Sequence, residues 1–76
     1  MAISDLPLDS GQRHARVFAA LGWVLRRDGE HIVLAKAGVG LISIPNHREV
    51  KRPTLSRIIQ RAGITDDAYC QAYEEL

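Results

Sequence analysis

His31 and His47 are the side chains of this chain best suited to proton transfer, and basic residues accompany both. His31 closes the tripeptide Gly29-Glu30-His31 at the head of an apolar alternation, and His47 closes Ile44-Pro45-Asn46-His47. Imidazole titrates near ~6.5, so it can accept or donate a proton at neutral pH. Arg26, Arg27, Lys36 and Arg48 add positive charge from adjoining segments, of the kind that meets phosphate oxygens. A histidine heading a strand, a second on a loop and a helix starting near Pro53-Thr54-Leu55 outline a small site for an anionic ligand such as nucleic acid. Each feature also has a plainer reading: His31 as a surface strand histidine with no task, His47 as the cap of a turn, the cations as solvated surface.

Other reactive groups offer less. His14 falls inside the first helix and reads as structural or exposed. His14, His31, His47 and Cys70 are 17, 16 and 23 residues apart, which matches none of the short ligand spacings of a zinc site, so no metal and no cofactor is expected. Cys70 has no basic residue three or four positions away and reads as a packing residue, not a nucleophile of lowered pKa.

The elements that must position these groups follow from the chain's punctuation. Residues 1–8 read as a flexible leader. Asp9 or Ser10 can cap a helix running to about Leu21, with Gln12 three residues after Asp9; Val17, Phe18 and Leu21 share one face and Gly22 provides the stop. Trp23, Val24 and Leu25 start a strand that Asp28-Gly29 ends in a hairpin turn. In the next strand His31, Val33 and Ala35 share one side and Ile32, Leu34 and Lys36 the other, with Ile32 and Leu34 the core candidates. The same parity sends Glu30 to the face opposite His31. Gly38 and Gly40 flank a second turn; Ile42 and Ile44 point the same way in a third strand, which Pro45 ends. Pro53 suits a first helical turn, Leu55, Ile58, Ile59 and Ala62 make an apolar stripe, and Gly63 closes it. Thr65 caps a last helix whose inward side would be Tyr69, Tyr73 and Leu76. The order is α-β-β-β-α with one or two closing helices: an α+β fold with a three-stranded antiparallel sheet, helices on one face and the other face open.

Size and composition bound the rest. A chain of 76 residues has room for a single domain, 1–76, burying ~60% of its unfolded surface. With 46% hydrophobic and 25% charged residues it lies outside the disordered class. One cysteine precludes an internal disulfide, and no charged start leads into a long apolar run, so a cytoplasmic protein without membrane association is expected. A net charge of +1 is too small for binding driven mainly by counterion release. Its distribution is uneven: Arg48, Lys51, Arg52, Arg57 and Arg61 follow the third strand, while Asp66, Asp67, Glu74 and Glu75 lie at the far end.

Taken in order, Gly22-Trp23, Gly29-Glu30-His31, Ile44-Pro45-Asn46-His47 and the run from Thr54 to Ile64 resemble the HicA toxins, small messenger-RNA interferases with a double-stranded-RNA-binding-domain-like fold. That family carries Gly-Ser-His, Val-Pro-x-His and Thr-Leu-x-x-Ile-Leu-x-x-Ala-Gly-Ile in the same order. The resemblance implies metal-independent RNA cleavage with His31 as the catalytic residue. RNA supplies its own nucleophile, the ribose 2′-hydroxyl, so the protein need only move a proton and support charge on phosphorus. Arg26, Arg27, Lys36, His47 and Arg48 are the RNA-contact candidates. The resemblance also implies a HicB-like antitoxin over the active face, within a complex that can be of higher order. Two departures stand out: Glu30 replaces the family serine and Pro53 a usual glycine. Glu30 favours a second reading, a non-catalytic RNA-binding or protein-interaction module of the same fold.

Overall fold

The computed structural model describes residues 5–76. Helix α1 (Gly11–Ala20) is followed by strands β1 (Val24–Asp28), β2 (His31–Lys36) and β3 (Gly40–Pro45), then by helices α2 (Arg52–Ala62) and α3 (Asp66–Glu74). The three strands form an antiparallel sheet in the order β1-β2-β3. This is the expected α+β arrangement, closed by two helices.

Alternation along the strands builds the core. Ile32 and Leu34 of β2 pair with Ile44 and Ile42 of β3, and because cross-strand partners share a face, all four point the same way and are buried. Val17 and Phe18 of α1, Leu55 and Ile59 of α2 and Tyr69 of α3 complete the same apolar cluster. Trp23, between α1 and β1, is buried against Phe18 in an edge-to-face contact at 6.2 Å, a geometry favoured by the ring quadrupoles. The opposite sheet face presents His31, Val33 and Ala35 beside Pro45, Ser43 and Leu41. No helix among the described residues is long and apolar enough to cross a membrane.

Helix ends follow the sequence closely. Ser10, not Asp9, is the N-cap of α1, its hydroxyl accepting from Arg13 N at 3.1 Å. Gly63 closes α2 at φ 76, and Thr65 caps α3 by accepting from Ala68 N at 3.1 Å. Three expectations change. Leu76 is half exposed, not turned inward, because α3 ends at Glu74. The β1–β2 turn falls at Gly29-Glu30, one residue later than Asp28-Gly29, and neither residue has a positive φ. Of the segment 1–8 read as a leader, residues 1–4 lie outside the described residues. Leu6 is buried in the core and its carbonyl accepts from Arg52 Nε at 2.8 Å, so the chain is packed onto the fold from residue 6.

Buried polar contacts join α1 to α3. His14 is fully buried, its Nδ1 sharing a hydrogen bond with the Tyr69 hydroxyl, while Nε2 has no partner among the described residues. Tyr73 OH donates to Asp9 Oδ2 at 2.6 Å, and the Arg13 guanidinium lies 5.2 Å from the Tyr73 ring centre. His14 is thus structural.

Candidate functional site

His31 opens β2 opposite Pro45, at the end of the sheet where the β3–α2 loop departs. Its side chain is exposed on the face away from the helices, as alternation requires when Ile32 is buried next to it. It lines a shallow pocket of about 290 Å³ together with Arg27, Gly29, Glu30 and Val33. A histidine, an arginine and a glutamate therefore border one concavity.

Arg27 reaches this pocket because of an irregularity in β1. The pairing runs Val24 with Ala35 and Leu25 with Leu34, then skips to Arg27 with Val33 and Asp28 with Ile32, leaving Arg26 as the extra residue of a bulge. Without the bulge, alternation from Leu25 would turn Arg27 toward the helices. With it, Arg27 sits on the side of Val33 and His31. Glu30 is also in the pocket and not on the opposite face: it belongs to the turn, outside the strand, so strand parity does not govern it.

The turn that carries His31 is held from outside. Asn46 Nδ2 donates to Gly29 O at 2.9 Å and Asn46 N to Glu30 O at 3.0 Å, so one residue engages both carbonyls ahead of His31. Gln12 Nε2 donates to Asn46 Oδ1 at 3.3 Å and to Asp28 Oδ1 at 3.1 Å, tying the turn and the loop to the first turn of α1. Gly11 N donates to His47 O at 2.9 Å. At Gly11 a side chain is excluded, since a Cβ there would lie 2.2 Å from Pro45 O. These contacts stand in for the left-handed dihedrals that an Asp-Gly hairpin turn ordinarily uses.

The remaining sequence candidates are placed unevenly. His47 and Arg48 are exposed on the loop beside the end of the sheet that carries His31, and Arg26 is exposed at the bulge. Lys36 lies apart, at the opposite end of β2, where its Nζ donates to Leu21 O at 2.9 Å and satisfies a carbonyl at the end of α1. Of these candidates Arg27 lines the His31 pocket, His47 and Arg48 follow Pro45 on the loop that leaves that end of the sheet, and Lys36 bonds to the end of α1. Asn46, Gln12 and Gly11 were not singled out as site residues. Asn46 stood inside a motif noticed for its neighbours, and nothing in the local sequence links Gln12 to it.

No other described group rivals this cluster. Burial, then the neighbouring carboxylates of Asp66, Asp67 and Glu74, raise the pKa of the Cys70 thiol, which makes it a poor nucleophile. Among the described residues no three His, Cys, Asp or Glu side chains group so as to hold a metal ion.

Residues 11–64, from the start of α1 to the residue after the α2 cap, match the family model described as HicA toxin of bacterial toxin-antitoxin. No curated protein matches the chain.

Proposed function

This chain belongs to the HicA toxin family of bacterial toxin–antitoxin systems, and on that premise we propose that it is a metal-independent endoribonuclease that cleaves messenger RNA with His31. The observation that carries the reading is the exposed His31 imidazole in a pocket walled by Arg27 on the open sheet face. RNA laid across that face brings a ribose 2′-hydroxyl to His31, which takes its proton as the oxygen attacks the adjacent phosphorus. Two non-bridging oxygens then carry extra negative charge, which the Arg27 guanidinium offsets. The 5′-oxygen leaves as it takes a proton from water, His31 returns its own proton to solvent, and the strand ends in a 2′,3′-cyclic phosphate and a 5′-hydroxyl. Arg26, His47 and Arg48 contact flanking phosphates. The partner of this toxin is a HicB-like antitoxin.

Glu30 favours a second reading. Glu30 lines the His31 pocket, and a negative charge beside His31 repels phosphate, which suits a module that binds without cleaving. One experiment separates the two. Purified protein and its His31→Ala variant are incubated with end-labelled messenger RNA in chelator. The cleavage reading expects cyclic-phosphate ends from the wild type and a rate lower by about 10²–10⁴ in the variant, the usual contribution of a positioned acid or base. Equal rates for the two proteins, or cutting of a 2′-deoxy substrate, would overturn it.

A further inference from the structure

A second concavity, whose lining does not include His31, lies at the β3 edge of the sheet. It is a groove of about 450 Å³ between β3 and α2, with Val33, Leu41, Ile42 and Ile58 in its lining and Arg57 and Arg61 on the α2 side. The two arginines are four residues apart on α2 and so project from one side of the helix. Arg61 Nε donates to Leu41 O at 3.0 Å. That bond anchors the guanidinium at the edge of β3 through Nε and does not use its terminal amino groups. Neither arginine is engaged by a carboxylate among the described residues. Leu41 is 55% exposed, an uncovered leucine on the groove's floor. Val33 lines both this groove and the His31 pocket.

The lining discriminates between a nucleic acid and a protein occupant. Grooves for single-stranded nucleic acid pair cations with aromatic rings on which bases stack. The chain has four aromatic side chains of the Phe, Trp and Tyr types. Phe18, Trp23 and Tyr69 are buried in the core, and Tyr73 is tied to Asp9 between α1 and α3, so none faces the open sheet. The groove offers aliphatic surface instead, which is stabilised when a partner's apolar side chain covers it. Beside that surface stand two guanidinium forks matched to carboxylates.

We propose that this groove docks the antitoxin, receiving a segment in which an apolar anchor covers Leu41, Val33 and Ile58 and flanking Asp or Glu side chains pair with Arg57 and Arg61. The proposal rests on the toxin role of the chain and not on how His31 acts. It makes antitoxin recognition and RNA cleavage depend on different side chains.

The test uses the full chain, the antitoxin encoded beside its gene, and a short messenger-RNA fragment. Arg57→Glu and Leu41→Ser are made separately, since both side chains are exposed and neither makes a contact the fold depends on; thermal melting checks each variant. Calorimetry with the antitoxin is expected to show affinity at least about tenfold weaker for each variant. Binding of the RNA fragment and its cleavage stay within about twofold of wild type. Unchanged antitoxin affinity in both variants overturns the proposal. So does a loss of RNA binding, alone or in parallel with the antitoxin, because either result assigns the groove to RNA. If the wild type cleaves no RNA at all, the cleavage reading fails, while the calorimetry still decides the docking site.

Discussion

Acidification should weaken this fold through His14 before any carboxylate of the α1–α3 interface is protonated. His14 is inaccessible to solvent and its Nδ1 meets the Tyr69 hydroxyl. Burial, the dominant cause, lowers its pKa from the ordinary 6.5 to about 4; Arg13 acts in the same direction, and Asp9 opposes both. Between those values the unfolded chain takes up a proton that the folded chain excludes, so stability falls as pH is lowered through that window. The gap from 6.5 to about 4, at about 1.4 kcal/mol per tenfold in proton affinity, gives about 3 kcal/mol as a ceiling. Relaxation around a charged imidazole brings the measurable loss to about 2 kcal/mol, a large fraction of the stability of a small domain. Asp9 acts in a different window. Hydrogen bonds from Tyr73 and the Ser10 amide hold its pKa below the ordinary 3.8, so its contribution is present above that value and fades only at lower pH. Urea unfolding at steps between pH 7.5 and 4.5 measures the loss, and His14→Gln isolates it, since an amide can occupy the site without titrating. The reasoning is refuted if the wild type is equally stable across the range, or if the variant shows the same slope as the wild type.

Three further perturbations probe how the site is held. Gly11→Ala forces a Cβ against the Pro45 carbonyl, and the displaced loop should cost about 1–3 kcal/mol in a denaturant melt; stability equal to wild type would show that α1 does not seat on the loop as described. Asn46→Ala removes the side-chain hydrogen bond to Gly29 O and leaves in place the side chains proposed to contact phosphate. It should lower kcat for RNA about tenfold with KM nearly constant, because a loosened turn misplaces the imidazole; a change in KM alone would contradict a positioning role. Lys36→Met loses the bond to Leu21 O and should lower stability by about 1 kcal/mol without altering RNA affinity, which filter binding can check.

The elements were legible where one local signal dominates. Ile32, Leu34, Ile42 and Ile44 alternate cleanly, and alternation alone assigns His31 to the open face. Thr65, Gly63 and Gly22 mark helix ends because caps and left-handed stops are local chemistry. Tyr69 and Tyr73 face inward as helical spacing predicts, while Leu76 does not, because α3 ends before it.

What escaped the sequence depends on contacts between distant residues. Arg27 is a candidate from its charge alone; the bulge at Arg26 is what turns it to the side of Val33, and a bulge arises from the fit of two strands. Glu30 enters the pocket because the turn lies at Gly29-Glu30, a conformation held by Asn46 from another segment. Lys36 has the charge of a phosphate ligand, yet the end of α1 captures it. The sequence by itself thus determined the element order, the strand and helix stripes of the core and the face on which His31 lies, since these follow from periodicity and local capping, while Leu6 joins the core only through the tertiary fold. Only the tertiary structure decided which charges share that face and which loop steadies it, because side-chain position within a pocket is set by register, bulges and long-range hydrogen bonds.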